Sequence, residues 1–257
     1  MNRIMLKRIA ALRHKKASFL RRRAWGIVRG AFPDPALWSG RHHHGPEIER
    51  AGALYDSVGA EGLSGRERPL ALAALVKRGD VLEAFDLLAG TDAVSVVTFR
   101  ALRDGLSERG YLLRARSVAR RLPGRRDAWI QSLLEGEIAV LSGEFEPPVV
   151  APPQGFTPEP GRVLHLVGSS LPYVQSGYTL RTHYTVLAQQ EAGLDPHVVT
   201  QLGFGFYGVD VIDGVLYHRL AGQGRGTEPL DVWLSAHVRA VADVVSRVCP
   251  SVLHAAS

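Results

Sequence analysis

The proline-rich segment EFEPPVVAPPQGFTPEPG, residues 144–161, constrains the fold more than any other stretch of the chain. Each proline fixes its own backbone and removes an amide donor, so the segment cannot continue a helix or a central strand. Before it the hydrophobic periodicity is helical, and after it short apolar runs alternate with helical stretches. The sequence therefore predicts a linker at 144–161 between a helical domain at 48–143 and a second domain at 162–257.

Turn glycines divide the predicted helical domain into units of similar length. Gly79 and Gly110 each follow an amphipathic stretch, and Gly143 follows a third helix. These glycines lie 31 and 33 residues apart, a spacing that suits stacked helical hairpins of the tetratricopeptide type. The residues do not match the full consensus of that repeat, so a short helical bundle remains an equal alternative.

The domain at 162–257 predicts a partial Rossmann-like parallel sheet, because predicted strands alternate with predicted helices. The predicted fold class of this domain is therefore α/β, and the domain follows an all-α region in the chain. In chain order the predicted elements are a strand at 162–168, a helix at 178–193, a strand at 196–202, a strand at 214–220, a helix at 228–248 and a strand at 251–257.

Two details of the predicted helices can be checked directly. The helix at 178–193 should bury one stripe of apolar side chains, and Thr227 should cap the helix that begins at Glu228 and Pro229. The stripe consists of Leu180, Tyr184, Leu187 and Ala188.

Basic charge is concentrated in an N-terminal arm, residues 1–30. The arm holds ten of the 31 basic residues and no acid, so the remaining 227 residues carry 21 basic and 25 acidic residues, a net charge of −4. Apolar residues recur between its charges at roughly helical intervals, which predicts a basic amphipathic helix on an anionic membrane surface. A solvated basic tail fits equally well. A nucleic-acid arm is the least supported alternative, because no recognition motif accompanies it.

The segment at 31–47 is rich in Pro, Gly and His and predicts a second linker. Its three adjacent histidines, His42 to His44, cannot all face one ion from a regular element, so we expect no metal site there. The single cysteine, Cys249, cannot form an internal disulfide, which favours a reducing compartment. The expected location is cytoplasmic, peripheral to the inner membrane face if the arm binds lipid.

The loop SSLPYVQSG at 169–177 joins the first predicted strand to the first helix of the α/β domain. In a doubly wound sheet, ligands bind beside the carboxyl ends of the strands, where this loop should lie. Gly177 would let a ligand approach the backbone, and the first helical turn favours an anion such as a diphosphate. Ser169, Ser170, Ser176 and Thr179 supply hydroxyls for sugar or phosphate oxygens.

The stretch GRVLHLVGSSLPYVQSGYTLRTHYTVLAQQEAGLDPHVVT, together with VDVIDGVLYHRL and PSVLHAAS, resembles the N-terminal domain of family 4 glycosyltransferases. The resemblance covers about residues 161–257. It implies one half of a GT-B arrangement, in which two Rossmann-like domains face each other across a cleft, and a transfer of sugar from a nucleotide-sugar to an acceptor. It implies no cofactor and no tightly bound metal. The implied site residues are Ser176 and Gly177 at the donor diphosphate, and Tyr178, Arg181, His183 and His254 on the acceptor or phosphate side.

This chain departs from the family pattern in two respects. The family often has a second histidine two residues after the position of His254, where this chain has Ala256. The family's other half, which grips the nucleotide-sugar, has no counterpart in the sequence, so the chain alone is expected not to transfer sugar. The alternative function is a non-catalytic scaffold, with helical repeats that dock a protein partner and a relic transferase domain.

Overall fold

The computed structural model describes residues 45–255, and contacts divide them into two compact units, 45–138 and 139–255. The basic arm, most of the segment at 31–47, including His42 to His44, and Ala256 lie outside the described residues. No helix between residues 45 and 255 is long and apolar enough to span a bilayer.

The first unit is built from helices. They are α1 Gly45–Val58, α2 Glu67–Arg78, α3 Val81–Leu88, α4 Val96–Glu108, α5 Leu112–Ala119 and α6 Arg125–Leu141, the last of which runs into the second unit.

Left-handed glycines separate these helices where the sequence predicts turns. Gly79 has φ +90° between α2 and α3, Gly110 has φ +79° between α4 and α5, and Gly143 has φ +79° after α6. Glycine adopts this conformation without the steric cost of a Cβ, so it ends a helix efficiently. The helical pairs α2–α3 and α4–α5 are in contact, whereas the tetratricopeptide-like architecture stays a prediction.

An ionic cluster lies within the helical unit. The Asp127 carboxylate is 1 % exposed and accepts hydrogen bonds from Arg100, at 2.7 Å, and from Arg103, at 2.9 Å. Arg103 also donates to Asp104 at 2.8 Å and is itself 2 % exposed. The hydrogen bonds from Arg100 and Arg103 hold the pKa of Asp127 below its usual value. The cluster therefore links α4 to the first turn of α6 through the ionised carboxylate of Asp127.

The second unit is an α/β sandwich, which confirms the predicted α/β class. Its sheet has the order β3-β4-β2-β1-β5. The elements are β1 Glu159–Val167, α7 Gly177–Glu191, β2 Asp195–Thr200, β3 Gly208–Ile212, β4 Val215–Arg219, α8 Leu230–Val248 and β5 Pro250–Ala255.

Apolar side chains on the two faces of this sheet form separate cores. Val167 and Val198 pack with Val186 of α7, whereas Leu164 and Val199 pack with Val244 of α8. Because neighbouring residues of a strand point to opposite faces, near-continuous apolar strands such as β1 and β2 serve both cores.

The sheet is mostly parallel, as predicted, and departs from a purely parallel arrangement at one edge. β3 pairs with β4 in antiparallel orientation, whereas β4, β2, β1 and β5 are parallel. The chain reverses between β3 and β4 through Asp213, with φ +49°, and Gly214, with φ +81°. A two-residue turn with both φ angles positive joins antiparallel strands, which is why the edge forms a hairpin.

Two predicted helix details are wrong. Helix α7 buries Thr179, Thr182, His183 and Val186, and Tyr184 is instead 64 % exposed. Hydrogen bonds satisfy the polar members of this buried face, so apolar content did not decide which side packs. Helix α8 begins after Pro229 without a side-chain cap. The Thr227 hydroxyl instead donates to the Gly224 carbonyl at 2.7 Å in the preceding turn.

Candidate functional site

The loop at 168–176 lies at the carboxyl end of β1, where the strand order reverses. From β1 the chain proceeds to β2 and the β3–β4 hairpin on one side, and α8 then returns it to β5 on the other side of β1. The space beside the carboxyl ends of β1 and β5 is therefore the topological switch point of the sheet, where open α/β sheets bind their ligands.

Helix α7 begins at this point with a capping box. The Ser176 hydroxyl accepts from the Thr179 amide at 3.3 Å, and the Thr179 hydroxyl accepts from the Ser176 amide at 2.9 Å. Thr179 is 1 % exposed. The two hydroxyls thus stabilise the first turn of α7, and the expectation that Thr179 offers a hydroxyl to a ligand is wrong.

Gly177 is the first residue of α7, and the space above it is open. A Cβ built on Gly177 would meet no heavy atom within 4 Å. Amide groups in the first turn of a helix have no acceptor within the helix, and the helix dipole makes this end attractive to anions. A phosphate oxygen could therefore approach the backbone at Gly177 more closely than a side chain would allow.

A hydrogen bond between Tyr178 and Gly168 connects the two ends of the β1–α7 loop. The Gly168 amide donates to the Tyr178 hydroxyl oxygen at 3.4 Å, and the Gln201 Oε1 atom lies 3.9 Å from the position of a Cβ on Gly168. Tyr178 is half-buried. Its hydroxyl thus lies beside the backbone at the end of β1, close to the carboxyl end of β2.

Arg219, at the end of β4, holds the β1–α7 loop in place through hydrogen bonds. It is 4 % exposed and donates to the Ser170 hydroxyl, to the Leu171 carbonyl and, at 3.2 Å, to Asp210. Ser170 is 1 % exposed, so the expectation that it offers its hydroxyl to a ligand is wrong.

Aromatic rings surround the same guanidinium. It lies 5.0 Å from the ring centre of Tyr217, 5.2 Å from that of Tyr173 and 6.0 Å from that of Phe204. Cation–π attraction replaces part of the hydration that Arg219 loses on burial. Arg219 therefore fixes the path of the loop from Ser170 to Tyr173. This role of Arg219 could not be predicted from local sequence patterns, because its partners Ser170 and Leu171 lie 49 and 48 residues away.

His183 lies between α7 and the hairpin. It is 3 % exposed, with Nδ1 2.8 Å from the Tyr217 hydroxyl and Nε2 2.9 Å from Asp213. Burial raises the pKa of Tyr217 to about 12, so its phenol remains protonated and donates to Nδ1. The Nε2 hydrogen is then donated to Asp213, and both ring nitrogens are engaged within the unit. Arg181, two residues earlier on α7, is exposed.

His254 lies on β5 directly opposite His165 of β1. Their Nδ1 atoms are 2.8 Å apart, and His165 Nε2 is 2.7 Å from the Gln189 Oε1 atom. Burial lowers the pKa of His165, which favours the neutral ring. With His165 donating from Nε2 to Gln189, its Nδ1 is the acceptor in the contact with His254 Nδ1. His254 itself is exposed on β5, the strand next to β1.

The structure thus brings Ser176, Gly177 and Tyr178 together at the carboxyl edge and places His254 on the neighbouring strand, whereas His183 is held against the hairpin turn. Two exposed rings that the sequence analysis did not single out, Phe206 and Tyr207, follow β2 at the same edge. The glycine-rich run LGFGFYG was the available signal.

Within residues 45–255, no cluster of three or more His, Cys, Asp or Glu side chains could hold a metal ion. The groups at the edge are backbone amides, hydroxyls, an imidazole and aromatic rings, which suit an anionic or polyhydroxylated ligand. Comparison with family models, curated proteins and solved structures found no match to this chain.

Proposed function

We propose that the α/β unit is the N-terminal half of a glycosyltransferase of the GT-B arrangement, and that its β1–α7 loop contacts the diphosphate of a nucleotide-sugar. The observation that carries the proposal is the uncovered backbone of Gly177 at the topological switch point. The resemblance of residues 161–257 to family 4 glycosyltransferases supports the same assignment.

The proposed role of the loop is electrostatic and positional. The first-turn amides of α7 hold a phosphate oxygen, and the Arg219 anchor keeps the loop in place before the ligand arrives. His254 and Tyr178 face the acceptor side, where the imidazole and the phenol hydroxyl can exchange hydrogen bonds with sugar hydroxyls. Arg181, exposed on α7, is available to a second phosphate or to the acceptor.

Chemical-shift mapping of the full 257-residue chain with UDP and GDP tests the proposal. The amide signals of residues 168–179 should shift, with about millimolar affinity, because a few hydrogen bonds of roughly 0.5–1.5 kcal/mol each contribute. The variant Gly177→Val should abolish these shifts, because its side chain occupies the open space above the first turn.

Gly65→Val is the matched control, because a Cβ at Gly65 also meets no atom within 4 Å but lies in the helical unit. It should leave the nucleotide-induced shifts unchanged. Shifts that persist in Gly177→Val, or that map outside the 168–179 segment, would contradict the proposal.

A further inference from the structure

Two large aromatic side chains lie in water at the ligand-binding edge of the sheet. Tyr207 is 81 % exposed and Phe206 is 48 % exposed, and both belong to the loop at 201–207 that follows β2. Exposed rings scattered over a surface need no explanation, but adjacent rings at the carboxyl edge of an open α/β sheet lie where ligands bind.

The backbone that presents these rings is specifically shaped. Gly203 has φ +73°, and a Cβ there would lie 2.5 Å from the Gln223 backbone. Gly205 has φ +77°, and its Cβ would lie 3.0 Å from the Tyr173 ring. The Gly203 amide also donates to the Leu220 carbonyl at 3.1 Å. The loop is thus packed against its neighbours through positions that only glycine fits, so the rings are exposed on a constrained backbone.

Tyr173 connects these rings to the proposed diphosphate loop. Its ring centre lies 6.1 Å from that of Phe204 in an edge-to-face arrangement, and 6.1 Å from that of Phe206. Tyr173 belongs to the β1–α7 loop and donates a hydrogen bond to Asp210 at 3.4 Å. The aromatic loop and the β1–α7 loop therefore contact each other through Tyr173.

The charge of this segment selects among classes of ligand. Residues 201–218 contain two acidic residues, Asp210 and Asp213, and no Lys or Arg. Arg219, the cation 6.0 Å from the Phe204 ring centre, is 4 % exposed, so an anionic lipid surface or a nucleic acid would find no accessible cation in this segment. A neutral sugar fits better, since the C–H face of a pyranose packs on an aromatic ring, while an amide oxygen such as that of Gln201 accepts hydrogen bonds from its hydroxyls.

We propose that Phe206 and Tyr207 form a stacking platform for a neutral pyranose ring of the acceptor. The assignment of this sugar as the acceptor rests on the proposed transferase function, whereas the platform itself rests on the aromatic loop. Tyr207, the more exposed ring, supplies the main contact, and Phe206 supports it beside Tyr173.

Saturation-transfer NMR on the full chain without nucleotide tests the platform. The probes are the methyl glycosides of glucose, mannose, galactose and N-acetylglucosamine. At least one should receive saturation on its ring protons, and Tyr207→Ala and Phe206→Ala should each weaken its binding about tenfold through loss of an aromatic contact. Tyr207→Phe should retain binding. Tyr184→Ala, which removes a tyrosine of 64 % exposure from α7, is the matched control and should have no effect.

Three results would overturn the proposal. The first is the absence of saturation on all four glycosides. The second is binding that Tyr207→Ala and Tyr184→Ala leave equally strong. The third is that the chain sediments with phosphatidylcholine vesicles, that Tyr207→Ala abolishes this sedimentation, and that no glycoside receives saturation. That result would assign the rings to a lipid surface.

The nucleotide titration separates this proposal from the transferase function. Glycoside binding that depends on Tyr207 in a chain that fails to bind UDP or GDP supports the platform and removes the transferase assignment. UDP or GDP binding with silent glycosides keeps the transferase assignment and overturns the platform.

Discussion

Two helices in different units of this molecule begin with the same cap. In α4 the Ser95 hydroxyl accepts from the Thr98 amide at 3.1 Å, and in α7 the Ser176 hydroxyl accepts from the Thr179 amide at 3.3 Å. The residue that follows each serine differs. It is Val96 in the helical unit and Gly177 in the α/β unit.

This difference distinguishes the groups that stabilise the first turn of a helix from the backbone groups that a ligand could reach. Val96 covers the first turn of α4 with a branched side chain, whereas a Cβ on Gly177 would meet nothing within 4 Å. The serine hydroxyl caps the helix in the same way in both units, and α7 adds the reciprocal bond from the Ser176 amide to the Thr179 hydroxyl, so these hydroxyls carry no functional information by themselves. The uncovered backbone at Gly177 is what distinguishes α7.

Two buried arginines extend the comparison. Arg103, in the helical unit, is paired with the carboxylates of Asp104 and Asp127. Arg219, in the α/β unit, has one carboxylate partner, Asp210, and otherwise binds a hydroxyl, a carbonyl and aromatic rings of loops. The first arginine fixes helices to one another, and the second fixes loops at the proposed site.

The largest expected effect is that of Asp127→Ala on the helical unit. Removal of the carboxylate leaves Arg103 buried without its partner on α6, which should lower the free energy of unfolding by about 3–5 kcal/mol. Denaturant unfolding followed by circular dichroism measures the loss. Glu83→Ala removes an exposed acid from α3 and should change stability little, so equal effects of the two substitutions would contradict the structural role of Asp127.

Arg219→Met should have a smaller effect on stability and a local effect on dynamics. Its hydrogen bonds lie close to the solvent-exposed edge, where water can partly replace them, so we expect a loss of about 2 kcal/mol. Hydrogen exchange should accelerate at residues 168–176 and remain unchanged in the helical unit. Arg181→Met, at an exposed arginine of α7, is the control. Uniform acceleration over both units would show that Arg219 supports the fold as a whole.

A fall in pH from 6.5 towards 4.5 should destabilise the α/β unit selectively. Burial, assisted by the charges of His197 and Arg247, lowers the pKa of His218 to about 4. The folded state therefore holds His218 neutral while the unfolded state protonates it. Its stabilising contribution is complete above pH 6.5 and is lost as the pH falls from 6.5 to 4, which amounts to about 2 kcal/mol.

The helical unit provides an internal control for this effect, because residues 45–138 contain no histidine. Hydrogen exchange between pH 6.5 and 4.5, corrected for the intrinsic exchange rate, should show a loss of protection in the α/β unit alone. His218→Leu should reduce that loss without abolishing it, because burial also lowers the pKa of His165 and His237. A parallel loss in the helical unit would refute the histidine origin.

Local patterns predicted the elements of both units well, because turn glycines and apolar runs act through neighbouring residues. The sequence could not reveal which face of α7 is buried, since that depends on the pairing of His183 with Tyr217, 34 residues away. The Arg219 anchor depends in the same way on Ser170, 49 residues earlier. At the candidate site, Gly177 could be identified from its position between a predicted strand and a predicted helix. Phe206 and Tyr207 could be identified only from the structure, which shows that their side chains are exposed.

The smallest expected effect tests the two caps directly. Ser95→Ala and Ser176→Ala should each lower stability by about 1 kcal/mol, because each removes the acceptor for one helix amide. If the Ser176 hydroxyl serves only the cap, Ser176→Ala should retain nucleotide-induced shifts under conditions in which the chain is folded, and Gly177→Val should lose them. Loss of the shifts in folded Ser176→Ala would show that this hydroxyl contacts the ligand, and the equivalence of the two caps would then be broken.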